Sequence, residues 1–402
     1  MMKHLLLLLF LCLPLSVLAQ GNVYEAVVVD SKSQQPLPYA SVFVDRTNST
    51  MTNAVGGFRI ECLPTDMLRV SYVGYSTKTV KAGAMGGRIA LEPLETTLDE
   101  VTVRPYSHYL KEAIEETQQL LRKHRRKKAN FFYRQTAYTD TVCYEFMEAF
   151  FHGYSAVFLR DLELITGRFA GIQPDSLHYY SYYANFFSTS QIPVTAMPGT
   201  SAKKEDRYPL TKYYEQHYDV TYETMVDSLT PVFVVRFKPK PTSLPVLDAT
   251  LYFDMNNYHL RKIEGNQLNL KVMHRERRGS RNDEELAAAF GVPIYDEIID
   301  TDFHFVMTMT EDRGFVEVQS VVIDERHQLY GKTVQTKSLL FNIGDRDIGR
   351  GRKLQSWSNL HDVIEQKGYD KQFWDDHEIV RRTPLEDDVL QLFESRQLFG
   401  IF

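Results

Sequence analysis

Three cysteines and two tryptophans in 402 residues are few, and each scarcity removes a class of explanation. One of the three, Cys12, lies inside an N-terminal apolar run, with bulky Phe10 and Leu11 where a lipidation signal wants small residues. That leaves Cys62 and Cys143, too few for a disulfide framework and without the CxxC or HExxH spacing of a metal site. They read as two independent thiols. Metals and other cofactors are therefore not expected. No GxSxG or phosphate-cradling glycine loop occurs, so no linear trace of a nucleophile, base and orienting group is present. After Leu13 no apolar run is long enough for a membrane-spanning helix, so the mature chain is expected to have none. Basic charge is not in excess either: 46 Lys and Arg stand against 52 Asp and Glu, which excludes a nucleic-acid partner.

The N-terminus has a clear pattern. Lys3 and His4 precede the apolar run Leu5 to Leu13, and Val17-Leu18-Ala19 supplies a small residue at a cleavage edge. Residues 1–19 thus read as a signal peptide.

From Val23 to Val103, short β-rich runs alternate with turn signals. The runs are Val23 to Val29, Ala40 to Val44, Phe58 to Ile60, Leu68 to Tyr72, Lys78 to Val80 and Arg88 to Leu91. This cadence predicts an antiparallel β-sandwich over residues 20–103. Within it stand Pro36-Leu37-Pro38-Tyr39-Ala40-Ser41-Val42, Gly56-Gly57-Phe58, Ser71-Tyr72-Val73-Gly74-Tyr75 and Leu98-Asp99-Glu100-Val101-Thr102-Val103. On these motifs the segment resembles the carboxypeptidase regulatory-like domain, a transthyretin-like sandwich. In one large group of Gram-negative bacteria the domain it resembles opens TonB-dependent outer-membrane receptors and many other envelope proteins. The sequence departs from the family at Glu25-Ala26, where a glycine is usual, and at Asn53, where an acidic residue is expected. The resemblance implies no peptidase, because the sandwich is an accessory in that family and no HxxE zinc pair is present. Tyr39, Phe58, Tyr72 and Tyr75 read as core and edge packing.

Residues 104–402 read as an α+β domain. A receptor barrel of about 22 strands at roughly ten residues each would leave little of this length for plug and loops, so a transport receptor does not fit. Tyr109 to Lys128 carries apolar Leu110, Ala113, Ile114, Leu120 and Leu121 near the helical period, with a basic end that reads as a solvated last turn. Strands are expected at Tyr218 to Tyr222, Val232 to Phe237, Ala249 to Asp254, His259 to Glu264, Asp302 to Thr310, Phe315 to Asp324 and Lys332 to Asn342, with a hairpin turn at Asp254 to Tyr258. A helix is expected from Pro384 to Gln397, opened by Thr383 and Glu386 as a capping pair. Trp374 would anchor the tail, while Asp375, Asp376 and His377, as neighbours on an extended strand, would point to opposite faces and make a poor site. The fold class is thus mainly β: an antiparallel sandwich, then a curved antiparallel sheet with a packing helix. The strand, turn, strand cadence of residues 215–345 resembles an uncharacterised envelope family and the periplasmic lipoprotein-carrier fold, in which a half-open barrel shelters an acyl chain.

Two aromatic groups are candidate ligand-facing residues. Between Phe131 and Phe187 there are 17 Phe and Tyr, ending in a block with Tyr179, Tyr180, Tyr182 and Tyr183 that follows neither period; it either fills the gap between helix and sheet or faces a sugar or lipid. Phe303, Phe305 and Met307 share one strand parity with Met309 and would line the inner face of a carrier. In a carrier they would line that face without filling it, and in a scaffold they would pack it solid. The leading expectation is a non-catalytic exported protein of the periplasm or outer membrane, serving as a binding or assembly module that meets an envelope protein or outer-membrane assembly. The alternatives are a periplasmic carrier of a hydrophobic ligand and an envelope glycan hydrolase. Lipid and glycan are the two ligand classes in view.

Overall fold

The computed structural model describes residues 21–97, 106–123, 127–140, 142–155, 159–172, 203–226, 231–269, 298–312, 315–329, 332–353 and 360–399. Tyr179, Tyr180, Tyr182, Tyr183 and the Leu98 to Val103 motif lie outside them.

The N-terminal unit is a sandwich of two small sheets. Strands β1 (Asn22–Asp30), β4 (Gly57–Cys62) and β7 (Arg88–Leu91) form one, in the order β4-β1-β7. Strands β2 (Ser41–Phe43), β3 (Ser49–Met51), β5 (Met67–Ser71) and β6 (Lys78–Lys81) form the other, in the order β3-β2-β5-β6. All pairings are antiparallel except β1 with β7, which is parallel. Phe58, Val28, Val42, Leu68 and Val70 fill the space between the sheets and are fully buried. Cys62 belongs to this core, whereas Cys143 is buried in a separate cluster, and both are free thiols.

The second unit is built on one antiparallel sheet of twelve strands. The sandwich segment itself supplies an edge strand, β8 (Glu95–Thr97). Helix α1 (Tyr106–Lys123) follows, and its end at Lys123 corrects the expected helix: Lys127 and Lys128 open strand β9 (Lys127–Thr139). The chain continues through β10 (Val142–Ser155), β11 (Leu159–Gly171), a single-turn α2 (Tyr214–His217), β12 (Tyr218–Val226), β13 (Val232–Pro239), β14 (Val246–Asp254) and β15 (Leu260–Leu268). Next come β16 (Ile298–Asp312), β17 (Phe315–Leu329), β18 (Lys332–Gly344) and β19 (Arg352–Lys353). The strand order is β19-β11-β10-β9-β18-β17-β16-β15-β14-β13-β12-β8.

Among the described residues after β19, three short helices follow: α3 (Leu360–Glu365), α4 (Lys371–Asp376) and α5 (Pro384–Ser395). At α5, Thr383 and Glu386 form the expected capping box, with Pro384 in the first turn. Asp375 and Asp376 lie on α4 rather than on a strand, because Asp370 caps that turn by accepting from Phe373 N at 3.2 Å. His377 stacks on Phe373, with ring centroids 4.1 Å apart.

Both faces of the large sheet are covered. On one, Leu110, Ala113 and Ile114 of α1 join a continuous apolar cluster with Phe131, Phe151, Phe233, Phe253, Phe305 and Met307. On the other, α5 packs Val389, Leu390 and Phe393 with Phe146, while Trp374, Ile379 and Val380 pack with Phe132, Phe150 and Met51 of the sandwich. The tail between α4 and α5 therefore lies between sandwich and sheet. Its backbone is held from both sides: Thr50 Oγ1 donates to Ile379 O at 2.5 Å, Asn53 Nδ2 to Arg382 O at 3.2 Å, and Arg134 Nη2 to Val380 O at 2.7 Å.

The sandwich also touches the sheet directly. Arg46 meets Asp345 at 3.1 Å, and Arg346 Nε donates to Thr47 O at 3.2 Å. The approach is close enough that a Cβ on Gly344, whose φ is +66°, would fall 2.0 Å from Arg46 O.

Two buried carboxyls sit back to back on β10. Glu148, on the tail-covered face, takes Arg134 Nε at 2.6 Å and Arg168 Nη2 at 2.5 Å. Burial works against its charge, but Arg168, Arg134 and Arg382 outweigh it and hold the carboxyl at about 2. Glu145 faces the other way, among the helix-covered core. Gln135 Nε2 donates to one of its oxygens at 2.5 Å, and the second oxygen is buried without a partner. Burial therefore pushes this carboxyl well above its usual range, against the Gln135 hydrogen bond. A raised folded-state value costs stability as pH rises past the ordinary value of 4.5. Glu145→Gln is accordingly expected to flatten the fall in stability between about pH 5 and about pH 8. Urea midpoints at the two pH values check this; an unchanged slope would mean that Glu145 is already ionised in the folded state.

Candidate functional site

The alternation of β16 splits its side chains between two environments. Phe303, Phe305 and Met307 point into the helix-covered cluster, at 4%, 0% and 0% exposure, with Met309 at 7%. The intervening His304, Val306 and Thr308, together with Thr310 beyond a bulge, line a cavity of about 540 Å³ on the opposite face. The candidate residues of β16 are thus packing residues, and their sequence neighbours face open space.

The second wall of this cavity comes from the sandwich. Phe43 ends β2, Arg69 and Ser71 lie on β5, and Tyr72 and Tyr75 flank the bend that follows. Gly74 makes that bend with φ +90°, a conformation open to glycine, and its carbonyl accepts from Leu94 N at 2.9 Å. The two tyrosine rings meet edge to face at 5.4 Å, and Tyr75 Oη donates to Asp30 Oδ2 at 2.8 Å. Tyr72 and Tyr75 therefore pack at the sandwich edge, as expected, and also form the wall of a cleft. Tyr39 lies deeper, its hydroxyl pushed up to about 12 by burial and by the carboxylates of Glu386 and Asp324.

Two of the cations lining the cleft, Arg261 and Lys262, are paired with carboxylates, and a third, Arg69, lies over the Phe43 ring at 5.4 Å. Lys262, 6% exposed, places its ammonium 5.4 Å from the Tyr72 ring centroid and 5.2 Å from that of Tyr252, with Glu264 at 2.6 Å. Burial opposes its charge, yet Tyr72 and Glu264 together raise its pKa above the ordinary lysine value. Arg261 holds Asp254 at 2.7 Å and Glu311 at 3.4 Å. Glu311 also takes Asn257 Nδ2 at 3.0 Å and lies 2.9 Å from His259 Nδ1, so the hairpin turn between β14 and β15 braces the cleft. Beside Thr310 a second cavity of about 400 Å³ opens, and the two share Phe43, Arg69, Thr310, Glu311 and Gln319 as lining.

Among the described residues, no group of three or more His, Cys, Asp or Glu is placed to hold a metal ion, and no helix is long and apolar enough to cross a membrane. The latter says nothing about crossing by strands.

Comparison with known proteins fits the sandwich just described. Residues 25–103 match the CarboxypepD_reg-like domain family. That domain thus ends beyond β8, the strand it lends to the large sheet. No curated protein matches the chain. Among solved structures, similarity is found to a LolA superfamily protein from Nitrosomonas europaea at 8% identity and a TM-score of 0.21, covering 61% of this chain and 96% of that one. A putative outer membrane lipoprotein-sorting protein domain from Vibrio parahaemolyticus is similar at 8% identity and a TM-score of 0.21, over 65% and 99% of the two chains. A DUF1329 family protein from Desulfovibrio piger gives 9% identity and 0.22, over 62% and 96%.

The cleft residues carry little signal in the sequence. Tyr72 and Gly74 stand in a recognisable motif of the CarboxypepD_reg-like domain, and the Asp254 to Tyr258 turn was legible. That Lys262, Thr308 and Thr310 meet them depends on how two units dock, for which no local pattern exists.

Proposed function

We propose that this chain is a non-catalytic binding module of the cell envelope, whose CarboxypepD_reg-like domain docks on the large sheet to build one wall of a ligand or partner cleft. The N-terminal basic, apolar and small-residue pattern supports export. The observation that carries the reading is the split of β16: the helix-covered face is filled by Phe303, Phe305 and Met307, and the cavity, which Met309 also borders, lies on the other side. A carrier of hydrophobic ligands needs the helix-covered face empty enough for an acyl chain. Filled, that face acts as a core which fixes the sheet against α1, leaving the cleft as the recognition surface.

Titration with a dansyl-labelled fatty acid tests the choice between binding module and carrier. The expected result is no saturable change in fluorescence. Saturation at one probe per chain, lost on Phe305→Arg but kept when the cleft is blocked, would make the protein a carrier.

A further inference from the structure

We infer that the cleft between sandwich and sheet takes an uncharged oligosaccharide; the inference rests on the cleft being the binding surface. Four features of its wall define the ligand. First, positive charge is not in excess: Lys262 is paired with Glu264 and Arg261 with Asp254 and Glu311, while Arg69 lies over the Phe43 ring, 5.4 Å from its centroid. Asp324 adds a further carboxylate to the lining, so a phosphate or other anion would meet no excess of positive charge.

Second, an apolar chain is equally mismatched. Seating one there would strip water from Glu264, Glu311 and Thr310 and offer no hydrogen bond in return. Third, the walls combine aromatic and hydrogen-bonding groups. Tyr72 and Phe43 contribute rings from the sandwich, each with a cation 5.4 Å from its centroid, while Thr310 and Ser71 contribute hydroxyls and Gln319 an amide whose Nε2 donates to Asn342 O. A sugar has apolar ring faces and a rim of hydroxyls that both donate and accept, which suits such a wall. Fourth, the two cavities of about 540 and about 400 Å³ share Thr310 among their lining residues, and together they have room for more than one ring.

The test is isothermal titration of the exported chain with chitotriose, mannotriose and xylotriose in turn. At least one trisaccharide is expected to bind saturably at one per chain, about tenfold more weakly to Tyr72→Ala. Binding should vanish in Thr310→Trp, which adds bulk at a half-buried strand position lining both cavities and serves if Tyr72→Ala fails to fold. Absence of binding by all three sugars would overturn the inference, as would binding that survives Thr310→Trp. Should the sugars fail while an envelope peptide or protein is held by the unmodified chain and released by Thr310→Trp, the oligosaccharide inference falls and the cleft remains the binding surface.

Discussion

Glu148→Gln is expected to lower the stability of the protein by about 3–5 kcal/mol, the cost of leaving buried charge without its partner. Arg134 and Arg168 are 2% and 3% exposed and both close on this one carboxylate. Glu386 and Glu394 stand farther off, at 3.7 and 4.0 Å from the same guanidiniums, and replace only part of the lost field. The pH dependence follows from the depressed carboxyl. Its folded-state value of about 2 lies below the ordinary 4.5, so its contribution is full above 4.5 and drains away as pH falls towards 2. The gap between wild type and Glu148→Gln should therefore close in acid. Urea unfolding of both proteins across that window measures it; a gap independent of pH would mean that shape rather than charge holds the network.

Trp374→Ala is the second large effect, at about 3–5 kcal/mol. The indole is 3% exposed, lies 5.5 Å from the Phe150 ring and 5.4 Å from Phe373, and carries the Arg168 guanidinium 4.7 Å above it. Its loss opens a void in the cluster that also holds Ile379, Val380 and Met51 of β3, and hence loosens the sandwich from the sheet. Because Arg168 touches both Trp374 and Glu148, the double variant should cost less than the two singles together, by about 0.5–3 kcal/mol. Strict additivity in unfolding measurements would show that tail packing and ion network are independent.

How far the fold could be read from the sequence depends on how many faces of each strand are covered. In β16 one face is core and the other borders a cleft, so its alternation stands out; Asp302 to Thr310 was legible as a strand. In β9 nearly every side chain from Ala129 to Thr139 is buried, because α1 covers one face and the tail and sandwich the other. Period-two patterning vanishes there, and Lys127 and Lys128 read as the end of a helix rather than the start of a strand. The hairpin turn at Asp254 and the capping box at Thr383 were legible because a few adjacent residues settle each. The site was not. Parity singles out the even residues of β16 as readily as the odd, and apolar character drew attention to Phe303, Phe305 and Met307, which are the packing side. What makes His304, Thr308 and Thr310 a cleft is a sandwich more than 200 residues earlier in the chain, set in place by Arg46, Thr50 and the tail.

Whether the cleft is the binding surface is tested by native mass spectrometry of the chain purified without detergent from its own cells, beside Thr310→Trp prepared in the same way. A bound glycan or protein partner present on the unmodified chain and absent from the variant is the predicted result. An acyl lipid retained by both would place the ligand on the helix-covered face and contradict the account.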